Sequence, residues 1–275
     1  METNIRELPS RSINRRCVAR AIVVLAILFV LGYLTHLLAH FLEHGGHLGR
    51  LGTVDSRYVI ASGGSVLIML IAVAALRLMG ARSIASTLRE LGLLSSPWRG
   101  LAFGFGSASL MFVGFALTRR FTAPLGAWAV LGTATAGGLG PLAEEVVFRA
   151  FGVGTLRDRC RAPLWAALTL PALAFGYWHW GEGGSWSGNL ELFALTALGG
   201  LFFGWLYLRW GRNVWVPTSL HAAMNLSWAL FTVSNNALGG WFPLALQTST
   251  IVVAVLVTLK LTVPLSPIPP ASGAA

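Results

Sequence analysis

VARAIVVLAILFVLGYLTHLL, residues 18–38, carries a single charge, Arg20, and as an α-helix rising about 1.5 Å per residue it is long enough to cross a hydrocarbon core of about 30 Å. Lipid offers no water to backbone amides, so an apolar run of this length is satisfied only as a helix that bonds its own peptide groups. Comparable runs follow at Val59 to Leu76, Leu190 to Leu208 and Leu244 to Val263. The first run exceeds the usual apolar core of a signal peptide and no small-residue cleavage site follows it, so it reads as a retained first helix.

The whole chain has the same character. Of its 275 residues 55% are hydrophobic and 11% are charged, against about a quarter charged in soluble domains. Eight apolar segments are centred near residues 28, 68, 109, 140, 171, 199, 222 and 252. They predict an all-α polytopic membrane helix bundle of about eight transmembrane helices. A basic N-terminal tail (1–17) and a Pro-rich C-terminal tail (264–275) read as disordered, and residues 18–263 as one transmembrane domain with no internal repeat.

Basic residues flanking membrane helices collect on the cytoplasmic side. With the N-terminus inside, the outer segments hold only Arg50, Arg57, Arg119 and Arg120, and Arg149 falls inside a helix. The other 15 of the 20 Lys and Arg residues (20 − 4 − 1) are then cytoplasmic. Both termini are therefore expected in the cytoplasm, in a multi-pass protein of the plasma or cytoplasmic membrane. The net charge of +10 is explained by this bias beside anionic lipid, and nucleic acid is not expected as a partner. Cys17 and Cys160, two cysteines near helix ends on that side, are expected as free thiols. Tryptophans at 165, 178, 180, 186, 210, 215 and 241 fall near helix ends, where they favour the headgroup region, and Gly200 and Gly204 have the spacing of a helix-packing contact.

The fourth segment breaks the pattern with Ala143-Glu144-Glu145-Val146-Val147-Phe148-Arg149. Each of the three ionisable groups costs about 2.5 to 3.5 kcal/mol at a helix centre on insertion scales, so partners are required. Glu145 and Arg149 stand at i and i+4 and are expected to pair, which leaves Glu144 as a candidate base tuned by burial. Gly137-Gly-Leu-Gly-Pro141, just before, is expected to kink the helix. The fifth segment adds Phe175-Gly-Tyr-Trp-His179 and the seventh His221-Ala-Ala-Met-Asn225, so three helices present polar groups at compatible depths.

Together, Glu-Glu-x-x-x-Arg, Phe-x-x-x-His and His-x-x-x-Asn on successive helices resemble the CPBP family of intramembrane proteases, whose relatives include the type II CAAX prenyl proteases. The resemblance covers residues 95–232. It implies a glutamic endopeptidase in which Glu144 and His179 activate water, His221 and Asn225 hold the oxyanion, and Glu145 and Arg149 give support. The implied substrate is a membrane-embedded or membrane-associated peptide or protein, with the lipid bilayer as surroundings. No cofactor is expected. Zinc is the alternative, since a carboxylate and two imidazoles are also catalytic zinc ligands, but no His-Glu-x-x-His is present and no second acid would remain as base.

Other chemistries fit less well. The only aspartates, Asp55 and Asp158, lie in predicted loops, which excludes an aspartyl dyad, and Ser219 reads as a packing residue with no nucleophile elbow around it. A non-proteolytic scaffold or immunity-type protein of the same fold, or a proton-coupled transporter, are the alternatives from other classes. His36, His40, His44 and His47 would share one face at the outer end of the first helix, as solvated histidines or a metal or pH-sensing cluster.

Overall fold

The computed structural model describes residues 12–44, 56–121, 137–231, 233 and 240–262. Every regular element among them is helical, with one isolated bridge between Phe121 and Phe231. In order, α1 is Arg15–His44, α2 Ser56–Leu78, α3 Ile84–Glu90 and α4 Pro97–Thr118. Helix α5 spans 137–144 and runs on into a π-helical stretch, Glu145–Val153, with a second π-helical turn at Thr155–Arg159. Helices α6 (Leu164–Trp178), α7 (Trp186–Arg209), α8 (Trp215–Leu230) and α9 (Trp241–Leu261) complete the chain. All eight apolar segments are thus helical, and short α3 is added between the second and third. Arg15–Thr35, Pro97–Thr118, Trp186–Arg209 and Trp241–Leu261 are long and apolar enough to cross a membrane by length and composition.

The π-helical stretch is the axle of the fold. All nine of its residues are buried, and it packs against α1, α2, α6 and α7. The Gly-rich residues 137–140 and Pro141, expected as a break, lie inside helix α5; the change of winding comes four residues later, at the glutamates. Segments with i→i+5 bonding are rare and concentrate at functional positions.

Glycine sets the close helix crossings. A Cβ at Gly100 would fall 2.3 Å from the Trp215 carbonyl oxygen, and one at Gly104 2.4 Å from the Ser219 carbonyl carbon, so α4 lies directly on α8. Ser219 is buried in that contact, as its packing role requires. Gly200 and Gly204 do the same between α7 and α6, where added Cβ atoms would meet Ala172 and Leu168 at 2.9 and 3.0 Å. Such approaches let dispersion and backbone contacts hold helices that gain nothing from hydrophobic exclusion of lipid.

One end of the bundle is a mesh of arginine bonds. Arg159 makes a two-pronged bond to Glu90 at 2.8 and 3.0 Å and donates to the Met79 carbonyl, and Arg212 donates to Asp158. The Asp158 hydrogen bond, foremost, raises the Arg212 pKa above its ordinary value. Three of the expected interfacial tryptophans are structural ties: Trp210 donates to Thr258, Trp215 donates to the Leu93 carbonyl, and Trp178 packs edge-on to Phe29 and Phe148. Trp165, Trp186 and Trp241 are largely exposed, as headgroup anchors would be.

The expectation for the cysteines is corrected at this same end. Cys17 and Cys160 form a disulfide, with Cα atoms 5.1 Å apart, because the start of α1 is brought against the turn that follows the second π-helical segment. The Asn14 amide bonds the Cys160 carbonyl at 3.0 Å, fixing the approach. The side chains of the histidine cluster, His36, His40, His44 and His47, lie outside the described residues, as do residues 1–11 of the N-terminal tail, the C-terminal tail and Asp55, whereas Arg15, Arg16 and Cys17, expected in the N-terminal tail, already belong to α1.

Candidate active site

Glu145 and Arg149 are buried to 0% and 1% exposure and face each other, Nε to Oε2, at 3.1 Å. The contact is close enough for an ion pair but not aligned as a hydrogen bond, and the terminal nitrogens of Arg149 find no acceptor among the described residues. Aromatic faces take that place. The guanidinium carbon lies 4.1 Å from the Phe175 ring centre and 5.4 Å from that of Phe203. A desolvated cation over an aromatic face gains about 2 kcal/mol, which offsets part of the missing hydrogen bonding.

The other oxygen of Glu145 is engaged by His221, whose Nδ1 lies 3.0 Å from Oε1. This bond is absent from the sequence reading, which treats Glu145 only as the partner of Arg149. It fixes the ring, which also stacks on Phe203 at 5.5 Å. The opposite nitrogen, Nε2, is turned toward Glu144, 3.8 Å from Oε2, too far for a direct hydrogen bond. Glu144 itself is half-buried, whereas Glu145 is sealed, so adjacent carboxylates have different surroundings.

His179 is not inside the fifth helix as expected; it is the residue just beyond Trp178, where α6 ends. Its Nδ1 lies 3.1 Å from the Phe175 carbonyl oxygen and its ring is edge-on to Phe175 at 4.9 Å. A carbonyl only accepts, so Nδ1 carries the proton, and in the neutral ring Nε2 is an open acceptor. Among the described residues no ion pair joins His179 to Glu144.

All four residues named from the motifs nevertheless line one cavity of about 610 Å³: Glu144 from the end of α5, His179 from the end of α6, and His221 with Asn225 from one face of α8. Phe203 of α7 and Gln247 of α9 also line it, and the sequence reading missed both. Gln247 left a signal, an amide within an apolar run; Phe203 left none beyond its place beside Gly204. No three His, Cys, Asp or Glu among the described residues are grouped so that they could hold a metal ion.

Residues 124–227 match the family model described as type II CAAX prenyl endopeptidase Rce1-like. That stretch, less than half of the chain, is similar to this protease family. The matched stretch contains Glu144, Glu145, Arg149, His179, His221 and Asn225 and ends before α9, so the cavity wall formed by α9 lies beyond it. Its long apolar helices and this similarity to a membrane protease family both fit a membrane protein. Comparison with curated proteins and with solved structures finds no match.

Proposed function

We propose that the chain is an intramembrane endopeptidase that hydrolyses a peptide bond of a membrane-associated peptide or protein, with Glu144, His179, His221 and Asn225 as its catalytic residues. The observation that carries this is their convergence, from three separate parts of the chain, on one cavity beside a carboxylate that Arg149 does not pair. A water held between Glu144 and Nε2 of His179 gives its proton to the carboxylate while its oxygen attacks the substrate carbonyl. The proton then passes to the leaving amine as the C–N bond breaks. Asn225 donates its amide N–H to the oxyanion. His221 donates from Nε2 only when the ring carries both protons, because Nδ1–H is committed to Glu145. In that state Glu145 stands behind the ring as its counter-charge.

The same geometry presents Nε2 of both histidines to the cavity, which is also how metal-ligating imidazoles are held. We favour the metal-free reaction, and one experiment separates the two. Membranes carrying the native chain are compared with Glu144→Ala membranes for a protein fragment with a new terminus. Cleavage is expected to need Glu144, to fall nearly to nothing in His179→Ala, and to survive strong chelators. Activity lost to chelator and restored by zinc would replace the glutamic reaction with the metal one. No Glu144-dependent fragment would end the protease reading.

Eight crossings with both termini cytoplasmic, in a single domain, remain the threading we propose. The basic residues support it, since Arg77, Arg157, Arg159 and Arg212 gather at one end of the bundle with Cys17 and Cys160. A disulfide at a cytoplasmic end is uncommon, because cytosolic reductants keep thiols reduced. Cysteine labelling from outside is expected to reach 181–189 and not 80–97; the reverse would invert the threading and explain the bridge.

A further inference from the structure

The cavity's two long walls belong to α7 and α9, and their spacing shows that each presents a single helix face. On α7 the lining residues include Leu192, Leu195, Thr196, Gly199 and Phe203; on α9 they are Leu244, Gln247, Thr248 and Ile251. With Leu198 and Phe202, which line it too, these residues recur at three- and four-residue steps or as adjacent pairs and so fall on one broad side of each helix. The two helices are tied together at the arginine-rich end, where Trp210 and Arg209 donate to the hydroxyls of Thr258 and Thr262, both at 3.0 Å. Away from that tie α9 leans on α4, with Leu246 filling the hollow at Gly114, and the cavity separates it from α7. The result is a slot between α7 and α9 that Glu144, His221 and Asn225 also line.

Gln247 stands in the wall of that slot. Polar groups at membrane depth are costly unless bonded, and they mark pathways or sites when they face a cavity. Its amide is half-buried and has no hydrogen-bond partner among the described residues. Thr196 across the slot is different, because its hydroxyl already donates to the Leu192 carbonyl at 2.6 Å. A glutamine amide offers one acceptor and two donors, the complement of a peptide group's N–H and C=O. A lipid chain would leave that amide unpaired, whereas an extended peptide would not. The volume, about 610 Å³, lies in the range of about 300–1,000 Å³ typical of ligand sites.

We infer that the α7–α9 slot is the channel through which a single extended peptide segment enters from the bilayer, and that Gln247 is a specificity residue that hydrogen-bonds its main chain. This rests on the proteolytic reading above, and α9 lies outside the matched family region.

Gly199 provides the test. It lines the slot, and a Cβ there would meet nothing within 4 Å, so Gly199→Leu fills the channel without displacing a neighbour and improves the helix's intrinsic propensity. Gly106, with equally open space on the exposed face of α4, is the matched control. Native, Glu144→Ala, Gly199→Leu, Gly106→Leu and Gln247→Leu forms are compared for the rate and position of the Glu144-dependent cleavage and for melting temperature in detergent. Gly199→Leu is expected to slow cleavage by about tenfold or more with an unchanged or raised melting temperature, and Gly106→Leu to behave as native. Gln247→Leu is expected to slow cleavage by about tenfold, the scale of one hydrogen bond, or to move the new terminus. Native rate and terminus in both slot variants would overturn the channel while leaving the protease standing. A fragment that persists in Glu144→Ala would remove the protease reading and the channel with it.

Discussion

Two sets of ion pairs, built from the same residue types, sit at different depths of this molecule. Glu145 and Arg149 are sealed at 0% and 1% exposure, surrounded by Phe175, Phe203 and the π-helical stretch. Asp158 and Arg212 are 35% and 41% exposed at one end of the bundle, and Glu90 and Arg159 are similar. Solvent screens the second set, and such pairs contribute about 0–1 kcal/mol each. The first has surrendered its hydration, so its worth is read in what happens when one partner is removed: a stranded buried charge costs about 3–5 kcal/mol. The buried pair, both members of which lie in one helical stretch, also has a contact beyond itself. Here it holds His221 through the second oxygen of Glu145.

The sharpest test of the contrast is removal of one buried partner. Arg149→Met and Glu145→Gln are each expected to lower stability by about 3–5 kcal/mol in thermal unfolding, whereas Glu144→Gln, one residue away, should stay near native. Equal losses in all three would erase the distinction between the paired and the unpaired glutamate. Asn225→Ala comes next, affecting turnover rather than fold. Losing one oxyanion donor should cost about 100- to 1000-fold in kcat, or about 2.7–4 kcal/mol, at unchanged melting temperature. A drop in melting temperature would instead make Asn225 structural. The smallest effect is expected at the exposed end, where Arg212→Gln should cost no more than about 1 kcal/mol and lose even that at high salt. A salt-insensitive loss of several kcal/mol would place the exposed pairs in the buried class.

Length and apolarity made the helices legible, because a run that must satisfy its own backbone in lipid has no alternative conformation to offer. The pairing of Glu145 with Arg149 was legible for a related reason: two opposite charges in a costly place, four residues apart, have few other partners. The shared cavity of Glu144, His179, His221 and Asn225 followed from motifs on separate helices, although the side-chain bonds within it did not. His221 reaches Glu145 across 76 positions of sequence, and local spacing says nothing about such a contact. The π-helical winding was hidden because the i, i+4 spacing of Glu145 and Arg149 reads as ordinary α-helix, and nine buried residues are too few to reveal a wider turn. The contribution of α9 lay outside every motif. The disulfide was hidden by a presumption about compartment, since two cysteines 143 residues apart reveal a bridge only once the start of α1 is placed beside the end of the π-helical segment.

That bridge turns residues 17–160 into a covalent ring. Glu144, Glu145 and Arg149 are inside the ring, whereas His179, His221, Asn225 and Gln247 are on the open strand that leaves it. A protease that nicks the chain once anywhere between residues 18 and 159 therefore opens the ring without dividing the molecule, and the nicked protein migrates as one species until a reductant is added. The glutamates are thus joined to Cys160 twice, once by the peptide backbone and once by sulfur, and a single length of chain leads from there to the histidines.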